Sequence, residues 1–170
     1  MTWAGSVPTA SLLMSPVTWL ANAVVSFNIL SLLAPALSAW TGFLLARYLT
    51  REMCAALVGG YLFGFSSYQL GQMLGHLNLD LIFVVPLLVL FVIRRIRGEL
   101  SRHRFVVTFA IALLAQLGLA TEILATSCLF GAITWLIFFA FSTREERGRL
   151  WIVAGDIVLA PGGSVPLLHL

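Results

Sequence analysis

Lysine is absent, and charge of either sign is scarce: ten arginines and seven acidic residues make up 10% of the 170-residue chain. A soluble domain is nearer a quarter charged. With 60% hydrophobic residues and a mean hydropathy of +1.00, a soluble fold of this length has too little interior for its apolar side chains. These shortages exclude a soluble globule and leave one membrane domain. Two cysteines, Cys54 and Cys128, are too few for a disulfide framework and lack metal-ligand spacing. Both lie in apolar segments and are expected to be small core residues. No basic residue precedes Arg47, so the start has no positive region of a signal peptide. Nucleophile triad, P-loop and dinucleotide fingerprint are all missing. The net charge of +3 does not indicate nucleic acid, because the basic residues sit in short loops rather than in a patch interleaved with aromatics.

What is present is a set of apolar runs separated by arginines. Arg47 and Arg51 form one cluster, Arg94, Arg95, Arg97, Arg102 and Arg104 a second, and Arg144, Arg147 and Arg149 a third. Excess positive charge stays on the cytoplasmic side, so all three clusters are expected there. Segments on one side are joined by an even number of crossings. The roughly forty residues between Arg51 and Arg94 would span about 60 Å as helix, enough for two crossings. The expected architecture is therefore an all-α polytopic bundle with spans at about 24–46, 53–68, 77–93, 105–119, 122–142 and 151–165. Pro35 should kink the first span. The fourth and fifth should separate near Gly118, the weakest helix position. Residues 5–20, divided by Pro8 and Pro16, are too short to cross and read as an interfacial helix on the outer face. Trp3 and Trp19 would anchor it, with Tyr48 and Trp151 at the inner interface. The N-terminus is then outside, in a multi-pass protein of the bacterial inner membrane.

This topology sorts the acids. Glu52, Glu99, Glu145 and Glu146 lie among the arginines as solvated loop charges. Asp80, Glu122 and Asp156 remain in or beside spans, where an ionisable group is expensive and marks a site by default. His76 precedes Asp80 by four residues and would share its face if the stretch is helical. Two readings are open. The pair could move protons or hold a divalent ion, or Asp80 or Asn78 could cap the start of the third span. One His and one Asp do not make a metal site alone. Thr121 could cap the fifth span with Glu122 at its positive end, or Glu122 could bind a polar headgroup or a sugar hydroxyl. Asp156 has no assignment from sequence. Gly59, Gly60 and Gly64 read as close helix contacts. The polar stretch from Ser66 to Gln72, with Tyr68 and Gln72, would line a cavity open to the exterior.

The run from Leu57 to Arg95 contains Phe65-Ser66-Ser67-Tyr68, Gly75-His76-Leu77 and Pro86. It resembles a stretch of polytopic bacterial proteins in which a glycine-rich span leads into Phe-Ser-Pro-Tyr, then Gly-His-Leu, then a proline-containing span with a basic exit. Ser67 stands where those proteins have proline. The runs SPVTWLANAVVSFNILSLLAPALSAWTGFLLARYLTR and ATEILATSCLFGA resemble the neighbouring segments. Over roughly residues 7–155 the chain is similar to the glycosyltransferase C superfamily, of the arabinose and mannose transferase kind. The resemblance implies transfer of sugar from a polyprenyl-phosphate donor at the outer face. His76, Asn78, Asp80, Glu122, Tyr68 and Gln72 would border the cavity. The family's acid in the first outer loop has no counterpart here, so the resemblance implies an internal fragment, inactive alone, with no catalytic residue assigned. Such transfer needs a base and cationic or metal help for the leaving phosphate, a divalent metal in the full-length protein included. Membrane lipid and other membrane helices are the remaining expected partners. The rival reading is a structural or transport-associated membrane subunit without catalysis. Transport would draw on mid-span polar residues, of which Asn28, Gln116, Thr126 and Ser127 are the main ones.

Overall fold

The computed structural model describes residues 8–160, and every regular element among them is helical. In chain order these are α1 (Pro8–Leu20), α2 (Ala23–Thr50), α3 (Met53–Gly64), α4 (Ser67–Gln72), α5 (Leu77–Asp80), α6 (Val84–Ile96), α7 (Arg102–Leu119), α8 (Thr121–Phe141) and α9 (Arg144–Leu159). Trp3, expected as an interfacial anchor, and the stretch 161–165 of the last expected span lie outside the described residues.

Helix ends follow local chemistry. The Asn22 side chain accepts a hydrogen bond from the Val25 amide at 2.9 Å and opens α2. Arg51 closes it in the left-handed region with φ 60°. Thr143 and Glu146 form a reciprocal capping box at the start of α9. Pro8 occupies the first turn of α1, where a missing N–H costs nothing. Pro16 lies inside that helix without ending it, so the expected division at these prolines does not occur. Likewise α2 is one helix through Pro35.

Four segments are long and apolar enough to cross a membrane: Ala23–Thr50, Leu77–Ile96, Arg102–Leu119 and Thr121–Phe141. They match four of the six expected spans. The 53–68 segment instead divides into α3 and α4; α3 has 12 residues, about 18 Å of helix against a hydrocarbon core of about 30 Å. The segment starting at Trp151 belongs to α9, which begins seven residues earlier at Arg144 and is not among the four. At Asp156 this helix is still fastened to the α6–α7 turn through Arg95 and Arg102.

The core is centred on α6 and α7, with Leu81, Val84, Leu88, Phe105, Val106 and Phe109 buried together. Phe105 and Phe109 stack at 5.1 Å. The tightest pairing joins α2 and α3. A Cβ added to Gly60 would meet the Ala39 carbonyl oxygen at 2.6 Å, and one on Gly64 would strike the Ala39 backbone. Here the small-residue contact expected of these glycines is made against the face of α2 that carries Pro35, Ser38 and Gly42. Gly118 has the same role rather than that of a helix break: it lies within α7 against Thr9 of α1. The break comes at Ala120, whose extended backbone (φ −160°, ψ 91°) separates α7 from α8. Helix α8 buries none of its residues. Cys128 on it is exposed, as is Cys54 on α3, so neither is the core residue expected.

Candidate functional site

The bundle has two chemically distinct ends. At one, the arginine clusters converge. The Tyr48 hydroxyl donates to Glu99 at 2.7 Å, and the Arg97 guanidinium lies 4.9 Å from the centre of the Tyr48 ring. Arg94 pairs with the Glu99 carboxylate at 3.3 Å. These donors, with the Tyr48 hydroxyl as the largest influence, hold the Glu99 carboxyl below the usual glutamate range. Asp156, 2% exposed, takes both Nε and Nη2 of Arg95 on Oδ2, at 3.0 and 2.8 Å, and Nε of Arg102 on Oδ1 at 2.8 Å. Sequence left Asp156 unassigned because its partners lie on other helices; in the fold it ties α9 to the α6–α7 turn.

The opposite end carries the candidate rim. Here the helical course is interrupted twice, between α4 and α5 and between α5 and α6. Asn78 donates from Nδ2 to Glu122 Oε2 at 3.0 Å, joining α5 to α8. The Tyr68 hydroxyl donates to the Leu79 carbonyl at 3.2 Å. Asn78, Glu122 and Tyr68 are thus brought to the same end, Asn78 on Glu122 and Tyr68 on the Leu79 backbone. The side chains of His76 and Asp80 do not pair. His76 is the exposed N-cap residue of α5, and its side chain makes no capping bond. Asp80 is 0% exposed, and neither carboxylate oxygen accepts a hydrogen bond among the described residues. The capping reading of Asp80 therefore fails. Asn78 does not cap either, since its side chain reaches Glu122. Thr121 does not cap α8: Ala120 holds the N-cap position, and the Thr121 hydroxyl donates back to Leu117. Gln72 is half-buried, with its amide oxygen unpartnered among the described residues.

Two residues outside the expected rim complete the buried interior. Gln69 of α4 donates from Nε2 to the Asp80 carbonyl at 2.6 Å and lies 3.5 Å from the Ser38 hydroxyl. Gln116 of α7 donates from Nε2 to the Leu81 carbonyl at 3.3 Å and to the Ala120 carbonyl at 3.4 Å. Both glutamines are 0% exposed. For Gln116 the signal in the sequence was a lone amide inside an apolar run; Gln69, within the polar stretch Ser66–Gln72, had no such signal. Of the four mid-span polar residues, Gln116 alone is buried; Asn28 and Thr126 are exposed and Ser127 is half-buried.

Beside this end, a groove of about 460 Å³ runs between α1 and α2 and reaches Leu77. Met14, Trp19, Phe27 and Leu30 give it apolar walls, and Ser15 and Thr18 have their hydroxyls bonded to backbone carbonyls of their own helix. No group of three or more His, Cys, Asp or Glu side chains suited to a metal occurs among the described residues.

The fold defines an all-helical chain with four helices able to cross a membrane. No protein-family model matches it, and neither a curated protein nor a solved structure is significantly similar to it.

Proposed function

We propose that the chain forms the outer-face rim of a glycosyltransferase-C-like membrane enzyme, one that takes sugar from a polyprenyl-phosphate donor. In this reading the arginine turns face the cytoplasm, the four apolar helices cross the bilayer, and the α3–α4 segment and α9 complete a bundle of about six membrane-embedded segments. The rim then faces outward. The observation that carries the proposal is the Asn78–Glu122 bond beside Tyr68 at the arginine-free end. A carboxylate held by an amide, with a phenol beside it, suits the hydroxyls of a sugar. The neighbouring groove lies within the usual volume range of a ligand pocket, about 300–1,000 Å³, and its apolar walls suit a prenyl chain. His76, exposed next to the rim, is the available proton acceptor. Every arginine is at the far end, so stabilisation of the leaving phosphate falls to groups beyond this rim, a divalent metal among them.

Photo-crosslinking tests this. Membranes holding the chain are irradiated with a photoactivatable polyprenyl-phosphate sugar. Adduct on α1 or α5 is expected, with at least a fivefold loss in Glu122→Gln combined with Asn78→Ala. Labelling unchanged by that double substitution, or equal labelling with a sugar-free polyprenyl phosphate, removes the sugar-binding rim.

The burial of Gln116 and Asp80 favours one second reading, a transport-associated subunit, since intramembrane polar groups mark ion pathways.

A further inference from the structure

Between α5 and α6 the chain leaves helical geometry inside an apolar stretch: Leu81 has φ −82° and ψ 63°. Unwound backbone at membrane depth must have its polar groups satisfied by protein. Here two glutamines do so, beside the Ile82 N–H, which also donates to the Asp80 carbonyl at 2.9 Å. Gln69 binds the Asp80 carbonyl and Gln116 binds the next carbonyl, that of Leu81. Each glutamine thereby commits its amide N–H groups to the backbone. Its own amide oxygen is left buried without a donor among the described residues, and so are both oxygens of Asp80. Four buried oxygens with one negative charge thus belong to side chains that meet at two adjacent peptide units, Asp80–Leu81 and Leu81–Ile82, and no donor among the described residues reaches them. The Ser38 hydroxyl lies 3.5 Å from Gln69 Nε2, and the Gln72 amide oxygen is likewise unpartnered among the described residues. Among the described residues, the other charged or titratable side chains near this end are Glu122 on the exposed rim, the exposed His76 and Tyr68; the arginines that interact with acids do so at the other end.

A buried carboxylate without a partner is among the most expensive arrangements in a fold. A proton on Asp80 would neutralise it but would serve only one of the two amide oxygens. A cation serves all of them. An all-oxygen set selects a hard ion, and one carboxylate balances a single positive charge. A divalent ion would remain half-neutralised and asks for six or more ligands. Broken helices with inward-facing oxygens are a recurrent means of holding sodium within a membrane.

We propose that Asp80, Gln69 and Gln116 bind a monovalent alkali cation, sodium in size and charge, at the α5–α6 break. The ion locks α4, α5 and α7 together. This site is independent of the sugar reading, and its test involves neither sugar nor lipid-linked donor.

The test is the melting temperature of the purified full chain in detergent at pH 8, titrated with sodium chloride against choline chloride at constant ionic strength. Sodium raises the wild-type midpoint by about 5 °C at saturation. Asp80→Asn, whose amide supplies the missing donor, melts at the same temperature in both salts. Gln116→Leu keeps the carboxylate but loses one ligand, and its sodium midpoint moves at least tenfold higher. Equal wild-type melting in the two salts overturns the proposal, as does a sodium response retained in both variants. Melting that ignores sodium and rises as pH falls also overturns it, in favour of a proton on Asp80.

Discussion

Arg95 donates twice to a single oxygen of Asp156, from Nε and Nη2, while its Nη1 donates to the Leu100 carbonyl at 3.0 Å. One guanidinium thus joins the end of α6, the turn before α7 and the last turn of α9. Arg102 approaches the other carboxylate oxygen from a more exposed position, 59% accessible against 17% for Arg95.

Removing Asp156 therefore leaves one largely buried guanidinium without its counter-ion. Asp156→Ala should destabilise the chain by about 3 kcal/mol, the usual scale for breaking a buried pair from one side. Arg102→Ala should cost no more than about 1 kcal/mol, since solvent already screens that partner. Denaturation in mixed micelles measures both, and equal effects would contradict the clamp.

The glycine contacts predict a graded series. Gly64→Ala and Gly60→Ala drive a methyl into backbone of α2 and should each destabilise by about 2 kcal/mol. Gly59→Ala meets only the Ala46 methyl, at 3.1 Å, and should be milder. Gly131→Ala has open space and gains helix propensity, so it should be neutral or stabilising by up to about 1 kcal/mol. Melting temperatures in one detergent rank the four.

The arginine end carries a pH signature. Glu99 has its carboxyl pKa lowered in the fold, so its bonds stabilise the chain above the unfolded glutamate pKa. That contribution disappears as pH falls through the lowered folded value. Tyr48→Phe should melt below wild type at pH 7, and the gap should close in acid. A gap that persists at low pH would assign the tyrosine effect to packing.

Orientation can be read by labelling. In a chain with Cys54 and Cys128 replaced by alanine, Ser67→Cys should react with an impermeant maleimide added outside intact cells, and Ser101→Cys should not. Both positions are exposed. The opposite pattern would invert the proposed topology and remove the rim from the outer face.

The long apolar helices were legible in the sequence because their evidence is local: hydropathy, and arginine at the ends. The caps at Asn22 and Thr143–Glu146 are local too but did not enter the expectation, which starts the last span seven residues after α9 begins. Boundaries at α2, α7 and α8 differ from the expected ones by a few residues. What was not legible depends on distant partners. Asp156 is 61 residues from Arg95 and 54 from Arg102, and no periodicity links them. The split of 53–68 into α3 and α4 is marked only by Ser66, which caps α4 by accepting from the Gln69 amide. His76 and Asp80 are four apart and the Asp80 N–H bonds the His76 carbonyl at 3.1 Å, yet the imidazole is exposed and the carboxylate buried, because the helix-start backbone at His76 is not helical. Gln69 was hidden within a polar stretch read as outward-facing, yet it points inward to the α5–α6 break.

Helix α8 has no fully buried side chain, and Trp135 is the residue it packs against the core. Its residence in the bilayer is therefore decided mainly by partition into hydrocarbon, with fit to neighbours confined to a few positions such as Glu122, Trp135 and Phe139. Along most of its length, exchanging one bulky aliphatic or aromatic for another should leave the rest of the chain undisturbed. The constraint on this stretch is its oiliness, whereas on α2 and α3 it is the size of each individual side chain.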